Sequence, residues 1–241
     1  MNAPRLANPI RPWENDYWTP EPLFLGQTVF VVASGPSLTP EIANSLPAER
    51  CIVVNTSCRL IPNAAVLYFT DSGWYAERRG LVANWPGLAV SMSRLAKREL
   101  DDPAHGRAKP RILRVKGVGS PPFPPRVNGK PGFPPLGSRE IQQGRNSGNT
   151  ATSLAVAMGG GRTEHGKCIA LVGFDCRTVN GREHFHSEYS GPRDLGLYEN
   201  EYLHAFDGWR EAAETSGAAI VNATPGSAIT EFPFVNLSDL L

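Results

Sequence analysis

The sequence of 241 residues lacks the common signatures of phosphate and acyl chemistry. No G-x-x-x-x-G-K-[ST] is present, which excludes a P-loop enzyme, and no G-x-G-x-x-G follows the first strand-like run. The G-x-S-x-G elbow of α/β-hydrolases is missing too. Cysteine is scarce: Cys51, Cys58, Cys168 and Cys176 form no C-x-x-C pair, so zinc and disulfide frameworks are not expected. Small buried thiols in a reducing compartment are the expectation. Charge of one sign is also lacking. Lys and Arg number 24 against 23 Asp and Glu, a net +1, which gives no footprint for nonspecific nucleic-acid binding. No apolar run is long enough to span a membrane, and the first residues lack a signal-peptide apolar region. A soluble cytoplasmic protein is expected. There is no internal repeat.

What is present is an α/β pattern. The hydrophobic fraction of 41% suffices for a sizeable core, and the length fits one α/β domain. Val29-Phe30-Val31-Val32-Ala33 is an apolar run that stops at Ser34-Gly35-Pro36-Ser37, as a fully buried strand does. Gly35 permits close approach to the main chain, Pro36 suits a first helical turn, and Ser34 or Ser37 suits its cap. A strand turning tightly into a helix presents free N–H groups to an anion. Further strands are expected over 51–57, 65–71, 87–91, 111–115, 168–175 and 218–222. Helices are expected over 39–46 with Thr39 as N-cap, over 74–79, 151–158 and 201–215, and briefly at the C-terminus. Such alternation implies a mostly parallel, Rossmann-like sheet with helices on both faces. Residues 1–22, rich in proline and dotted with Trp13, Tyr17 and Trp18, read as an arm strapped onto the domain formed by 23–241. Residues 103–143 read as a proline-rich insertion, most concentrated at 120–136, serving as a lid or an oligomer contact.

Small polar residues recur at the carboxyl ends of the expected strands: Ser34 to Ser37, Asn55 to Ser57 with Thr56 between them, Thr70 to Ser72 with Asp71 between them, Gly173 to Asp175, and Asn222 to Ser227 with Thr224 among them. In an open parallel sheet these ends share one edge, where ligands bind at the switch in strand order. Asn146-Ser147-Gly148-Asn149 is a second glycine turn opening a helix, suited to an anion or a sugar. Asp71 and Asp175 suit a metal, a ribose, a proton transfer or a simple cap. His184 and His186, two apart in an extended segment, point the same way. Either is a candidate general base near neutral pH, and the pair is a candidate for metal binding.

Ala33-Ser34-Gly35-Pro36-Ser37-Leu38 resembles a G-x-G-P-S-L signature in which Ala33 takes the place of the first glycine. Asn55 at the end of the next strand, the Ser147-Gly148 helix start, the strand end Leu171-Val172-Gly173-Phe174-Asp175 and the turn Asn222-Ala223-Thr224-Pro225-Gly226-Ser227 follow in the order of the same group. The order over 29–95 and 146–232 is similar to that of the bacterial sialyltransferases that bind CMP-sialic acid. It is equally similar to that of the archaeal 6-hydroxymethylpterin diphosphokinase group and related phage and prophage proteins. The resemblance implies a nucleotide along the carboxyl edge, of CMP type for the sialyltransferases. Gly35, Pro36 and Ser37 would lie by its phosphates, Asn55 and Asp71 near the nucleotide or acceptor, Ser147 and Gly148 on the donor, and Thr224 to Ser227 by the base or ribose. His184 or His186 would be the general base and Tyr189 a ligand of the leaving phosphate.

The expected function is nucleotide-dependent transfer from a small-molecule donor to a hydroxyl acceptor. The leading form is glycosyl transfer from a nucleotide sugar. Diphosphoryl transfer from ATP, with Mg²⁺ on Asp71 or Asp175, is the first alternative. A non-catalytic nucleotide-binding phage accessory protein, possible as a homo-oligomer, is the second.

Overall fold

The computed structural model describes residues 17–93, 96, 112–114, 116–118, 124–188 and 197–241. Trp13 of the arm and Tyr189 lie outside the described residues, as do parts of the 103–143 stretch.

Seven parallel strands make one sheet. β1 (Val29–Val32), β2 (Cys51–Val54), β3 (Val66–Phe69), β4 (Leu88–Ser91) and β5 (Ile112–Arg114) step outward in chain order, each paired with the one before. The chain then forms a parallel pair, β6 (Lys116–Val118) with β9 (Glu140–Gln142), and a hairpin, β7 (Arg126–Val127) with β8 (Lys130–Pro131). It returns to the other side of β1 as β10 (Ile169–Val172), and β11 (Ile220–Asn222) adds beyond that. The strand order β11-β10-β1-β2-β3-β4-β5 therefore reverses direction at the β1/β10 seam.

The apolar runs are continuous because the sheet is covered on both faces. Side chains alternate between two cores. Val29 and Val31 of β1 join one core with α3 (Ser147–Ala157) and α4 (Trp209–Thr215). Phe30 and Val32 join the other with α1 (Pro40–Ser45) and α2 (Ser72–Ala83). All four β1 side chains are fully buried, each contributing roughly 1.5–3 kcal/mol. Phe24 is also fully buried and Trp18 packs on the first core, so the chain just before β1 is tied to the domain. No helix among the described residues is long and apolar enough to cross a membrane. All four cysteines are free, and burial pushes the Cys51 and Cys58 thiols up to about 12.

Several expected boundaries shift. The turn after β1 does not run straight into a helix: α1 begins at Pro40, capped by Thr39, so Pro36 lies in a turn and not in a first helical turn. β2 ends at Val54, and residues Asn55–Arg59 form a 3-10 turn. α2 starts at Ser72 because Asp71 caps it, and α3 starts at Ser147 because Asn146 caps it. The single helix expected over 201–215 is three pieces: a π turn at Tyr198–Tyr202, a 3-10 turn at His204–Phe206 and α4. Gly208 separates the last two with φ 74°, and a Cβ there would meet Pro124 at 2.6 Å. The short helix expected at the C-terminus is one 3-10 turn, Leu237–Asp239. Within the stretch expected as an insertion, Phe133 and Ile141 are buried in the first core, and Phe133 meets Trp209 edge to face at 5.2 Å.

Candidate functional site

A cleft of about 890 Å³ opens outside the carboxyl ends of β1, β2, β3 and β10, at the seam where the strand order reverses.

Its floor is the β1/β10 seam. The Gly35 N–H donates to the Gly173 carbonyl at 2.9 Å. A Cβ on Gly35 would sit 2.0 Å from Asp175 Oδ2, so the glycine admits the protein's own carboxylate. Asp175 is 2% exposed and accepts from Ser37 Oγ at 2.8 Å and from the Ser37 N–H at 3.2 Å. Burial raises its pKa, and the Ser37 bonds oppose that rise. Ser37 is therefore spent on Asp175, and neither it nor Pro36 lines the cleft. Thr224 and Ser227 lie behind the floor. Thr224 Oγ1 accepts from the Phe174 N–H at 3.0 Å and donates to the Leu171 carbonyl at 3.1 Å. Ser227 Oγ donates to the Phe174 carbonyl at 2.6 Å. Both hydroxyls hold the chain after β10 and are absent from the cleft lining.

One wall is the start of α3. Asn146 and Asn149 cap it reciprocally, with the Asn149 N–H donating to Asn146 Oδ1 at 2.9 Å. Asn149 is fully buried and serves this cap, outside the lining. Ser147 and Gly148 face the cleft, and a helix start leaves such N–H groups without an intrahelical acceptor. Ser147 Oγ pairs with Thr70 Oγ1 at 2.8 Å, tying the helix start to the end of β3. Arg145, 44% exposed, stands beside it, ion-paired to Glu201.

The opposite wall comes from β2 and α2. Asn55 has φ 52°, sparsely populated for a side-chain-bearing residue, and its buried Oδ1 has no hydrogen-bond partner among the described residues. Asp71 lines the cleft while accepting from the Trp74 N–H at 2.5 Å. Trp74, 3% exposed, donates its indole N–H to Thr56 Oγ1 at 2.9 Å, so Thr56 supports the wall from behind.

The histidines divide. Their rings stack at 5.3 Å and 8°, as an extended segment places residues two apart. Only His184 lines the main cleft; His186 lines a neighbouring cavity of about 560 Å³. His184 Nδ1 is 3.3 Å from the Ser34 carbonyl. A carbonyl only accepts, so Nδ1 is the donor in that contact. Burial and the His184 ring hold the His186 pKa down at about 4, and His186 Nδ1 accepts from the Glu188 N–H at 3.2 Å.

Several lining residues carry no signature in the sequence. Tyr198 and Tyr202 meet edge to face at 5.4 Å on the π turn, a turn type often found at functional sites. Glu183, Cys176 and Trp74 also line the cleft. The Tyr-x-x-x-Tyr spacing and the basic Arg145 next to the second glycine turn are the only available signals. Among the described residues, no three His, Cys, Asp or Glu side chains gather as a metal site.

No family model matches this chain, and neither curated proteins nor solved structures provide a match.

Proposed function

We propose that the protein is a nucleotide-dependent transferase, most like a glycosyltransferase of the sialyltransferase type, with a CMP-type nucleotide sugar as donor. The observation that carries this reading is the meeting, in one cleft at the strand-order switch, of a helix start with a histidine whose Nδ1 donates to the Ser34 carbonyl. The donor phosphate lies against the Ser147 and Gly148 N–H groups, with Arg145 beside it, where the helix dipole favours negative charge. Tyr198 and Tyr202 offer aromatic faces to the base. His184 Nε2 takes the acceptor hydroxyl proton. The acceptor oxygen bonds to the anomeric carbon, and the carbon–phosphate-oxygen bond breaks with its electron pair leaving on the phosphate.

This assignment differs from the one the sequence suggests in where the phosphate sits, by α3 and not by residues 35–37; of the two candidate bases it takes His184. Asp71 and Asp175 both line the cleft, which favours diphosphoryl transfer with Mg²⁺ as the second reading.

A thermal-shift panel of CMP, CDP, UDP, GDP and ATP, with and without Mg²⁺, tests the proposal. CMP or CDP should raise the melting temperature without Mg²⁺, since ligand that binds only the folded form stabilises it. A shift with ATP alone, abolished by chelator, supports the second reading. No shift with any nucleotide removes both. His184→Ala should keep nucleotide binding and lose transfer; unchanged transfer would remove His184 as base.

A further inference from the structure

Glu188 follows His186 by two residues and is gripped from two sides. One carboxylate oxygen pairs with Arg59, from the 3-10 turn after β2. The other accepts from Arg78 Nη2 of α2 at 2.6 Å. Arg78 is unusual in three ways. Its side chain is only 9% exposed, its buried Nε has no hydrogen-bond partner among the described residues, and its backbone is non-helical inside α2, at φ −124° and ψ 22°. An arginine buried to this degree is retained only where the charge is paired. Glu77 Oε2 also meets Arg78 Nη1 at 2.7 Å, but Glu77 is 70% exposed, so Glu188 is the less solvated of the two anions.

The contacts form a chain from α2 to the end of β1. The Arg78 guanidinium lies over the Trp74 ring at 5.5 Å, and Trp74 lines the cleft. The Glu188 backbone donates to His186, His186 stacks on His184, and His184 and the Phe185 N–H both reach the Ser34 carbonyl at the end of β1.

We propose that Glu188 is a positioning residue: bridged by Arg59 and Arg78, it latches the 183–188 segment against α2 and so sets the His184 imidazole on the cleft. The inference rests on the proposed function only for what His184 does there; the latch itself needs no ligand.

The test is Glu188→Gln, which keeps the shape and removes the charge. Amide hydrogen exchange is followed across the chain, and the His186 imidazole is titrated by NMR. If the latch holds the segment, amides of 184–188 should exchange at least about tenfold faster while β1 and β10 keep their protection. The titration has opposite signs under the two accounts. Release of the segment frees His186 from burial and from the His184 ring, so its pKa should rise from about 4 toward the ordinary imidazole range. If the segment stays in place, loss of the Glu188 charge alone should lower it further. Unchanged exchange together with a further lowering would overturn the proposal. Should Glu188→Gln not fold, Arg59→Gln carries the exchange readout alone, since Arg59 is 53% exposed and its own charge lowers the His186 pKa. There the faster exchange should be about threefold, and no change in exchange would overturn the latch. Neither readout uses a nucleotide, so failure of the latch and failure of the transferase reading are separate results.

Discussion

The turn at residues 34–37 and the turn at residues 146–148 are built from the same materials: a serine, a glycine and a strand or helix end. They lie on the same cleft and are put to different use. At the first, Gly35 lets Asp175 come in from β10, and Ser37 spends its hydroxyl and N–H on that carboxylate. At the second, Asn146 and Asn149 cap each other and leave Ser147 and Gly148 facing the cleft. The difference comes from the neighbour each turn meets. The first abuts a parallel strand whose following turn carries Asp175; the second opens beside Thr70 and Arg145.

The largest effect should come from filling the closed turn. Gly35→Ala forces a Cβ onto Asp175 Oδ2 and the Gly173 carbonyl, at 2.0 and 2.4 Å. It should cost about 3 kcal/mol and lower the melting temperature by roughly 6–12 °C, read by calorimetry. A neutral Gly35→Ala would mean that the turn is not closed. Next is Ser37→Ala, which deprives a buried carboxylate of its 2.8 Å hydroxyl bond. Denaturant unfolding should show a loss of about 2 kcal/mol, with nucleotide affinity unchanged; weakened binding would put phosphate at the first turn after all. Arg145→Ala reverses the pattern. By isothermal titration calorimetry it should weaken CMP about tenfold, while stability moves by less than about 0.5 kcal/mol. The fourth effect is a pH slope. The folded His186 pKa, about 4, lies below the unfolded value of 6.5, so its contribution is present above 6.5 and is lost as pH falls toward 4. His186→Gln should flatten the denaturation midpoint over that window; an unchanged slope would mean that His186 is not held neutral by its surroundings.

The sheet was legible because its strands are buried on both faces, and a run such as Val29 to Val32 can do little else. The stacking of His184 on His186 followed from period-two geometry. Which of the two meets the cleft did not, because that depends on the Ser34 carbonyl 150 residues away. Thr224 and Ser227 look like ligand groups in sequence for the same reason that they suit a structural role: small hydroxyls at strand ends satisfy backbone groups. Tyr198 and Tyr202 were hidden because a π turn is set by packing and leaves no periodicity to read. The break at Gly208 was similarly masked by the amphipathic spacing of Leu203, Phe206 and Trp209 around it.

The central claim is that the open turn, and not the closed one, receives a nucleotide phosphate. Amide chemical-shift mapping during a CMP titration tests it most directly. The account predicts that the Ser147 and Gly148 amides move first and furthest, with the Asn55 side-chain amide moving alongside them and Ser37 still. Shifts centred on Gly35 and Ser37 with α3 silent, or no shifts at saturating nucleotide, would contradict it.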